Sequence, residues 1–449
     1  MSTIYGTSGS DTLTGTDAPD TIFGLSNSDR LYGLSSDDIL YSGSGSDLGA
    51  FGGEGADTLS GGDGNDSFLN GGAGNDTLAG NGGVDFLLDG EDGDDVLSGD
   101  SGNDRDLIGR DGHDTLWGGD GVDSNFFGGE GADILLAGSG SDRGFFGGVG
   151  DDSIWGGDGD DQGLAGGLGD DWIYGGLGLD KLFGGSGDDV LPVASQMELT
   201  AGETYDGAFG TDTLILAEAA SLPAGVGLSS IEVLNRYGTS GSEFLTGDVR
   251  INLLRGLSGD DRLYGLSGDD GLYAGSGDDS FVSGGSGADS LSGDDGSDVS
   301  FYGGSGDDVL FGGSKQDRWL YGDSGSDSIC GGAFKDRRLF GGSGDDRVSG
   351  DLGLDYSLYG GSGNDRLYGG SQSDFLLSGR AGDDTIAGDS GNDMSLLGQN
   401  GNDVIRGGTG EDRFLFGGAD DDRMEGGSGA DKAVYGDQGR DTLYGGDGD

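Results

Sequence analysis

The chain has 449 residues, 84 acidic against 22 basic for a formal net charge of −62, and 109 glycines with only 3 prolines. Such a charge makes nucleic acid and anionic membrane poor partners and a divalent cation the natural one. Glycine at this level without a G-X-Y triplet excludes collagen, and the apolar runs are far too short to span a bilayer, so no membrane insertion is expected.

Met1–Gly6 carries neither a basic n-region nor an apolar h-region, so no cleavable signal peptide is legible. Three nine-residue units follow: Gly6–Thr14, Gly15–Phe23 and Gly24–Tyr32. From Gly33 half-units of nine and ten residues alternate, and the nine-residue halves start at Gly33, Gly52, Gly71, Gly90, Gly109, Gly128, Gly147 and Gly166, always 19 apart. An unpacked linker has no reason to keep a period; a stack of coils does. Residues 1–190 form a first array, 191–237 break the pattern, and 238–449 form a second array. Gly6, Gly24 and Gly166 recur as Gly238, Gly256 and Gly398, which reads as an internal duplication. The middle segment reads as an irregular β connector joining two rolls, with a small separate β unit as the alternative: Gly207–Asp212 keeps the turn pattern, Thr213–Leu216 and Ser229–Leu234 look like strands, and Leu222–Gly225 a turn or loop.

The repeated motif is GGxGxDxUx, with U a large apolar residue; it stands as Gly61-Gly62-Asp63-Gly64-Asn65-Asp66 and as Gly303-Gly304-Ser305-Gly306-Asp307-Asp308. It resembles the hemolysin-type (RTX) calcium-binding repeat, over most of the chain. That resemblance implies an all-β parallel β-roll in two stacked arrays of 19-residue coils, without significant helix. It also implies two short strands and two turns per coil, with calcium between successive turns on the same side. Secreted members of the family leave by type I secretion, which points to an extracellular or cell-surface location. Their C-terminal secretion segment is not visible: the sequence stops inside a turn at Gly445–Asp449, as a fragment or a chain exported otherwise would. A chain that is almost all repeat resembles surface fibril proteins and is expected to self-associate into a filament or layer. The alternative is the repeat region of a larger toxin, hydrolase or adhesin.

The sixth-position aspartates are the candidate calcium ligands. In the first array they are Asp11, Asp20, Asp29, Asp38, Asp47, Asp57, Asp66, Asp76, Asp85, Asp95, Asp104, Asp114, Asp123, Asp133, Asp142, Asp152, Asp161, Asp171, Asp180 and Asp189. In the second they are Asp261, Asp270, Asp279, Asp289, Asp298, Asp308, Asp327, Asp346, Asp355, Asp365, Asp384, Asp393, Asp403, Asp412, Asp422, Asp431 and Asp441. The two halves of a coil fall on opposite edges, so each edge becomes a ladder of carboxylates about 4.8 Å apart. Like charges that close need a cation between them. Calcium suits the position, since it takes carboxylate and backbone carbonyl oxygens alike.

Some turns depart from the pattern. Glu243 and Asn252 replace the sixth-position aspartate, and Lys315, Phe334 and Gln372 replace the fourth-position glycine, so these turns are expected to hold calcium weakly or not at all. The inward residue is expected at position eight of the nine-residue half (Leu59, Leu78, Leu97) and at position nine of the ten-residue half (Leu69, Leu88, Phe126), the extra residue making a bulge or a wider turn on one side only. The tenth residue, as in Phe127, Tyr321 and Phe340, should then point outward. No catalytic constellation is legible: His113 is the single histidine and sits within a repeat turn, and Cys330 is the single cysteine.

Overall fold

The computed structural model describes residues 2–195, 198–199, 201–216 and 226–447. Leu222–Gly225, Gly448 and Asp449 therefore lie outside the described residues. The chain forms two compact units, Met1–Val233 and Leu234–Asp449. Each is a parallel β-solenoid, with no helix among the described residues.

Every coil lays down two strands, one after each turn. Thr58–Asp63 pairs in parallel with Thr77–Gly82, and that strand with Val96–Ser101. On the other face Ser67–Ala73 pairs with Phe86–Asp92, which pairs with Arg105–Asp111. The strands of this second face make a 12-stranded sheet in the first unit and an 11-stranded sheet in the second. The register places like on like: Leu59 faces Leu78, and Leu69 faces Leu88. The first coils span 18 residues, as in Ile22 opposite Leu40, and later ones 19, as in Leu40 opposite Leu59.

Each regular coil buries one apolar side chain per face. Leu59, Leu78, Leu97, Leu69, Leu88 and Phe126 are all 0–1% exposed. Burial of such a side chain is worth roughly 1.5–3 kcal/mol, so the stack is held by many small, repeated terms.

The extra residue of the ten-residue half is the bulge. Phe68, Leu87 and Asp106 take φ of 60°, 62° and 58°, and the same position holds Gly144 and Gly163 with φ of 72° and 75°. Pairing skips it: Phe86 opposes Ser67 and Leu88 opposes Leu69. Each strand of a ten-residue half carries its bulge at the same place, so parity shifts by one and the inward residue moves from the eighth position to the ninth; where such a strand meets the nine-residue Lys181–Ser186 strand the register shifts.

The tenth-position row stands outward as expected, and its rings stack along the coil axis. Tyr302, Tyr321, Phe340 and Tyr359 form a continuous pile, with centroids 5.1, 4.8 and 4.8 Å apart and planes within 10°.

Between 191 and 237, Thr213–Leu216 is a strand as expected, and Asp189 N–H donates to Asp212 Oδ1 at 2.9 Å, which carries the aspartate ladder into this stretch. The expected strand Ser229–Leu234 is two strands instead, Gly227–Ser229 and Val233–Tyr237. A corner interrupts them. Ser230 has φ of 51°, and the Asp212 carbonyl accepts the N–H groups of Glu232 and Val233. Asp212 N–H in turn donates to Glu232 Oε2 at 2.9 Å, so Glu232 stands where the next ladder aspartate would.

Candidate metal centre

Each ladder aspartate is tied to its neighbours through one carboxylate oxygen. Asp47 N–H donates to Asp66 Oδ1 at 2.8 Å, Asp66 N–H to Asp85 Oδ1 at 2.8 Å, and Asp85 N–H to Asp104 Oδ1 at 2.7 Å. The opposite edge does the same from Asp38 to Asp57, Asp76 and Asp95. The main-chain oxygen of each aspartate accepts the N–H that follows the next rung, as Asp66 O does from Phe86.

The second carboxylate oxygen is left over. Every candidate ligand except Asp11, Asp20, Asp180 and Asp441 has a buried Oδ2 with no hydrogen-bond partner. A buried polar atom without a partner is costly, and an anionic one more so. At Asp11 and Asp20 the oxygen is already used: the N–H and hydroxyl of Thr7 donate to Asp11 Oδ2, and those of Thr16 to Asp20 Oδ2. Asp317, Asp336, Asp374 and Asp212, outside the candidate set drawn from sequence, share the orphaned buried Oδ2.

One turn shows what surrounds that oxygen. Asn252 stands in the ladder position, and its Nδ2 donates to the carbonyls of Asp248, Arg250 and Gly265 and to Asp270 Oδ1, at 3.3, 2.6, 3.4 and 2.9 Å. These are the second- and fourth-position carbonyls of its own turn and two oxygens of the next coil. A donor placed there is satisfied several times over. With aspartate there, the same pocket contains acceptors only, and a cation is the group that suits it.

The cradle is also shaped. A Cβ added to Gly61 would strike Asp66 Oδ2 and the Gly80 carbonyl, so the first glycine of the motif leaves the space open. Ser42, Ala137 and Ala274 occupy that position with buried side chains. The fourth glycine has a different task. Gly64 has φ of 139°, and a Cβ on it would collide with the Gly45 carbonyl of the coil before.

Burial is the first cause that raises the ladder carboxyls, and neighbouring carboxylates add to it, while the N–H donated from the previous rung works against both. Asp66 and Asp85 are pushed up to about 6, Asp161 and Asp384 to about 7, and Asp298 and Asp355 to about 8. Among the described residues no three His, Cys, Asp or Glu side chains converge on one point. A metal here has to draw on backbone carbonyls, as the contacts of Asn252 do.

A second ladder was not foreseen from the sequence. Fifth-position side chains accept N–H groups of the following coil: Val84 donates to Asn65 Oδ1, His113 to Asp94 Oδ1, and Ala132 to His113 Nδ1, at 2.9, 2.9 and 2.8 Å. These groups are exposed, and the residue type varies, which disguised the row as ordinary turn composition. His113 is one rung of it.

Lys315, Phe334 and Gln372 keep the left-handed conformation of the glycine they replace, with φ of 71°, 74° and 76°. That conformation costs an L-residue about 1–2 kcal/mol, partly offset by the greater unfolded freedom of glycine. Restoring glycine at all three is expected to raise the urea midpoint of the calcium-loaded protein; an unchanged or lower midpoint would show that the turns carry no strain.

Cys330 lies on the outer face, where its thiol donates to Asp351 Oδ2. Burial, then Asp351, pushes the thiol up to about 12. In the folded protein it should react slowly with a disulfide reagent at pH ~8, and at the rate of an ordinary thiol once the chain is unfolded. Equal rates in both states would contradict the placement.

Fold and site together define a solenoid repeat protein with stacked acidic turns that suit cations. A family model, the RTX calcium-binding nonapeptide repeat, matches segment after segment from residue 5 to 191 and from 237 to 449, leaving 377–396 unmatched within the second stretch. The chain belongs to that family of calcium-binding repeats. No catalytic family is indicated. A search of curated proteins returns no match.

Proposed function

We propose that the chain is a secreted calcium-binding structural protein whose repeats fold on calcium binding outside the cell and then assemble into a surface layer, sheath or fibril. The observation that carries this reading is the pair of ladders of buried, partnerless Asp Oδ2 atoms. Each site would use the Oδ2 of one aspartate, the Oδ1 of the next rung, and the carbonyls that Asn252 touches in its own turn. Calcium would supply positive charge there and take the carboxylate and carbonyl oxygens as its ligands. Binding and folding are then one event, because the ligand set exists only when two coils are stacked. Such coupling suits export, since the chain stays unfolded where calcium is scarce and folds where it is plentiful.

Assembly is supported by the outer aromatic pile Tyr302, Tyr321, Phe340 and Tyr359, a lateral contact surface of a kind that isolated apolar residues do not make. Light scattering and electron microscopy of the full chain with and without millimolar calcium test it. Ordered filaments or sheets that appear with calcium and dissolve with chelator are expected. A monodisperse monomer at high protein and calcium concentration would overturn the assembly reading and leave the calcium reading standing.

A further inference from the structure

The molecule is overwhelmingly acidic, yet two neighbouring turns carry more cations than acids. The two ten-residue turns Gly312–Tyr321 and Gly331–Phe340 sit one coil apart and contain Lys315, Arg318, Lys335, Arg337 and Arg338. Their only carboxylates are Asp317 and Asp336, both 0% exposed. Arg318, Arg337 and Arg338 are exposed, and among the described residues none of the five cations forms an ion pair. Elsewhere Arg110, Arg250 and Arg440 do find acidic partners.

Three of the cations lie over rings rather than against acids, and Arg318 Nη2 donates to Gln316 Oε1 at 3.3 Å. Arg338 lies over Trp319 at 5.6 Å, and Lys335 and Arg337 lie over Tyr356 at 4.2 and 5.4 Å. Cation–π contact orients a guanidinium without neutralising it. Arg318 and Arg337 are directly opposed on neighbouring strands, so their charges repeat with the coil spacing. Arg318, Trp319, Arg337 and Arg338 enclose an open cleft of about 240 Å³. Phe334, 67% exposed, lines a separate opening with Lys315 and Lys335.

We propose that this patch binds a linear acidic polysaccharide, with sulfate or carboxylate groups seated against Arg318, Arg337 and Arg338. Two features select that partner. Guanidinium forks match the planar or tetrahedral oxygens of such groups. A thin polymer meets only the charges within a screening length, about 8 Å at physiological salt, whereas a second solenoid laid alongside would bring its own ladders of acid against these. A polymer with acid groups along its length can engage the rungs one after another.

The test is titration of the calcium-loaded full chain with dextran sulfate, with neutral dextran as control, read by calorimetry. The protein should bind dextran sulfate and not neutral dextran, and added salt should weaken binding. The variant Arg318→Ser/Arg337→Ser/Arg338→Ser should lose about tenfold or more in affinity. Arg105→Ser/Arg366→Ser, at exposed arginines outside the patch, should change it little. Far-ultraviolet circular dichroism in calcium confirms that each variant remains β-rich; if the triple variant does not, Arg318→Lys/Arg337→Lys/Arg338→Lys, which keeps charge and loses the fork, is expected to weaken binding by a smaller factor. Absence of binding by the parent protein, equal binding of neutral dextran, or equal loss in the two Ser variants would overturn the proposal. So would loss of self-association in the triple Ser variant without any binding of dextran sulfate, which would give the patch to a second copy of the chain.

Discussion

Stripped of calcium at neutral pH, the protein is expected to show the far-ultraviolet spectrum of an unfolded chain, and to become β-rich when calcium is restored. The size of the effect follows from the ladders. Folding without a cation forces each ladder carboxyl either to stay charged in a buried stack or to take up a proton at neutral pH. At pH 7 the folded state is penalised by about 4 kcal/mol at Asp355, raised from 3.8 to about 8 and so largely protonated, and by about 3 kcal/mol at Asp66, raised to about 6 and so largely charged. Both ladders repeat this at rung after rung. Domains are stable by only about 5–15 kcal/mol in total, so the apo roll cannot persist on its apolar rows alone. Breaking one rung should be felt as well. Asp76→Asn in the middle of the first unit replaces one acceptor with a donor, and is expected to lower the apparent calcium affinity of folding while leaving the neighbouring coils able to fold. A β-rich spectrum in excess chelator would contradict the account.

The second large effect is that acid should partly replace calcium. The sign is opposite to that of an ordinary salt-bridged carboxylate. The folded-state values lie above the unfolded one, so below about 3.8 the carboxyls are protonated in both states and the penalty vanishes. Between about 3.8 and the folded values of about 6 to about 8 the unfolded chain sheds protons that the folded state keeps, so stability falls across that window and levels off above it. Calcium-free chain should therefore gain β-structure between pH ~7 and ~4 and lose it reversibly on return. Dilute protein is needed, because the sequence pI is near 4.1. In the presence of calcium the dependence should reverse, since ligands must be deprotonated to bind. An apo chain equally disordered at both pH values would show that the ladders do not govern folding.

Much of the architecture could be read from the sequence because each coil repeats the same demands. The 19-residue period fixes the register, the shift from Leu59 to Leu69 marks the bulge, and the row through Tyr321 and Phe340 faces outward by strand parity. What stayed hidden depended on geometry between coils. The fifth-position ladder uses any acceptor, whether Asn65, Asp94 or His113, so no single residue type marks it. Asn252 read as a damaged site, whereas its amide satisfies the pocket that its neighbours leave open. The corner at Ser230 was hidden because SSIEVL alternates like a strand, and only the contact of Glu232 with Asp212 reveals a turn. Lys315 and Phe334 looked like defects in one ladder, and their contribution to a basic surface emerges only when Arg318 and Arg337 are seen on neighbouring strands.

The most direct test of cations held between coils is an anomalous-scattering map of crystals in which a lanthanide replaces calcium. The account predicts ions on both edges, each against an aspartate Oδ2 and the oxygens that Asn252 Nδ2 touches in its own turn. It predicts the lowest occupancy at Asp11 and Asp20, whose Oδ2 atoms already accept from Thr7 and Thr16, and at Asn252, whose amide fills the pocket. Ions found only on the exposed fifth-position aspartates, with none beside the buried Oδ2 atoms, would contradict it.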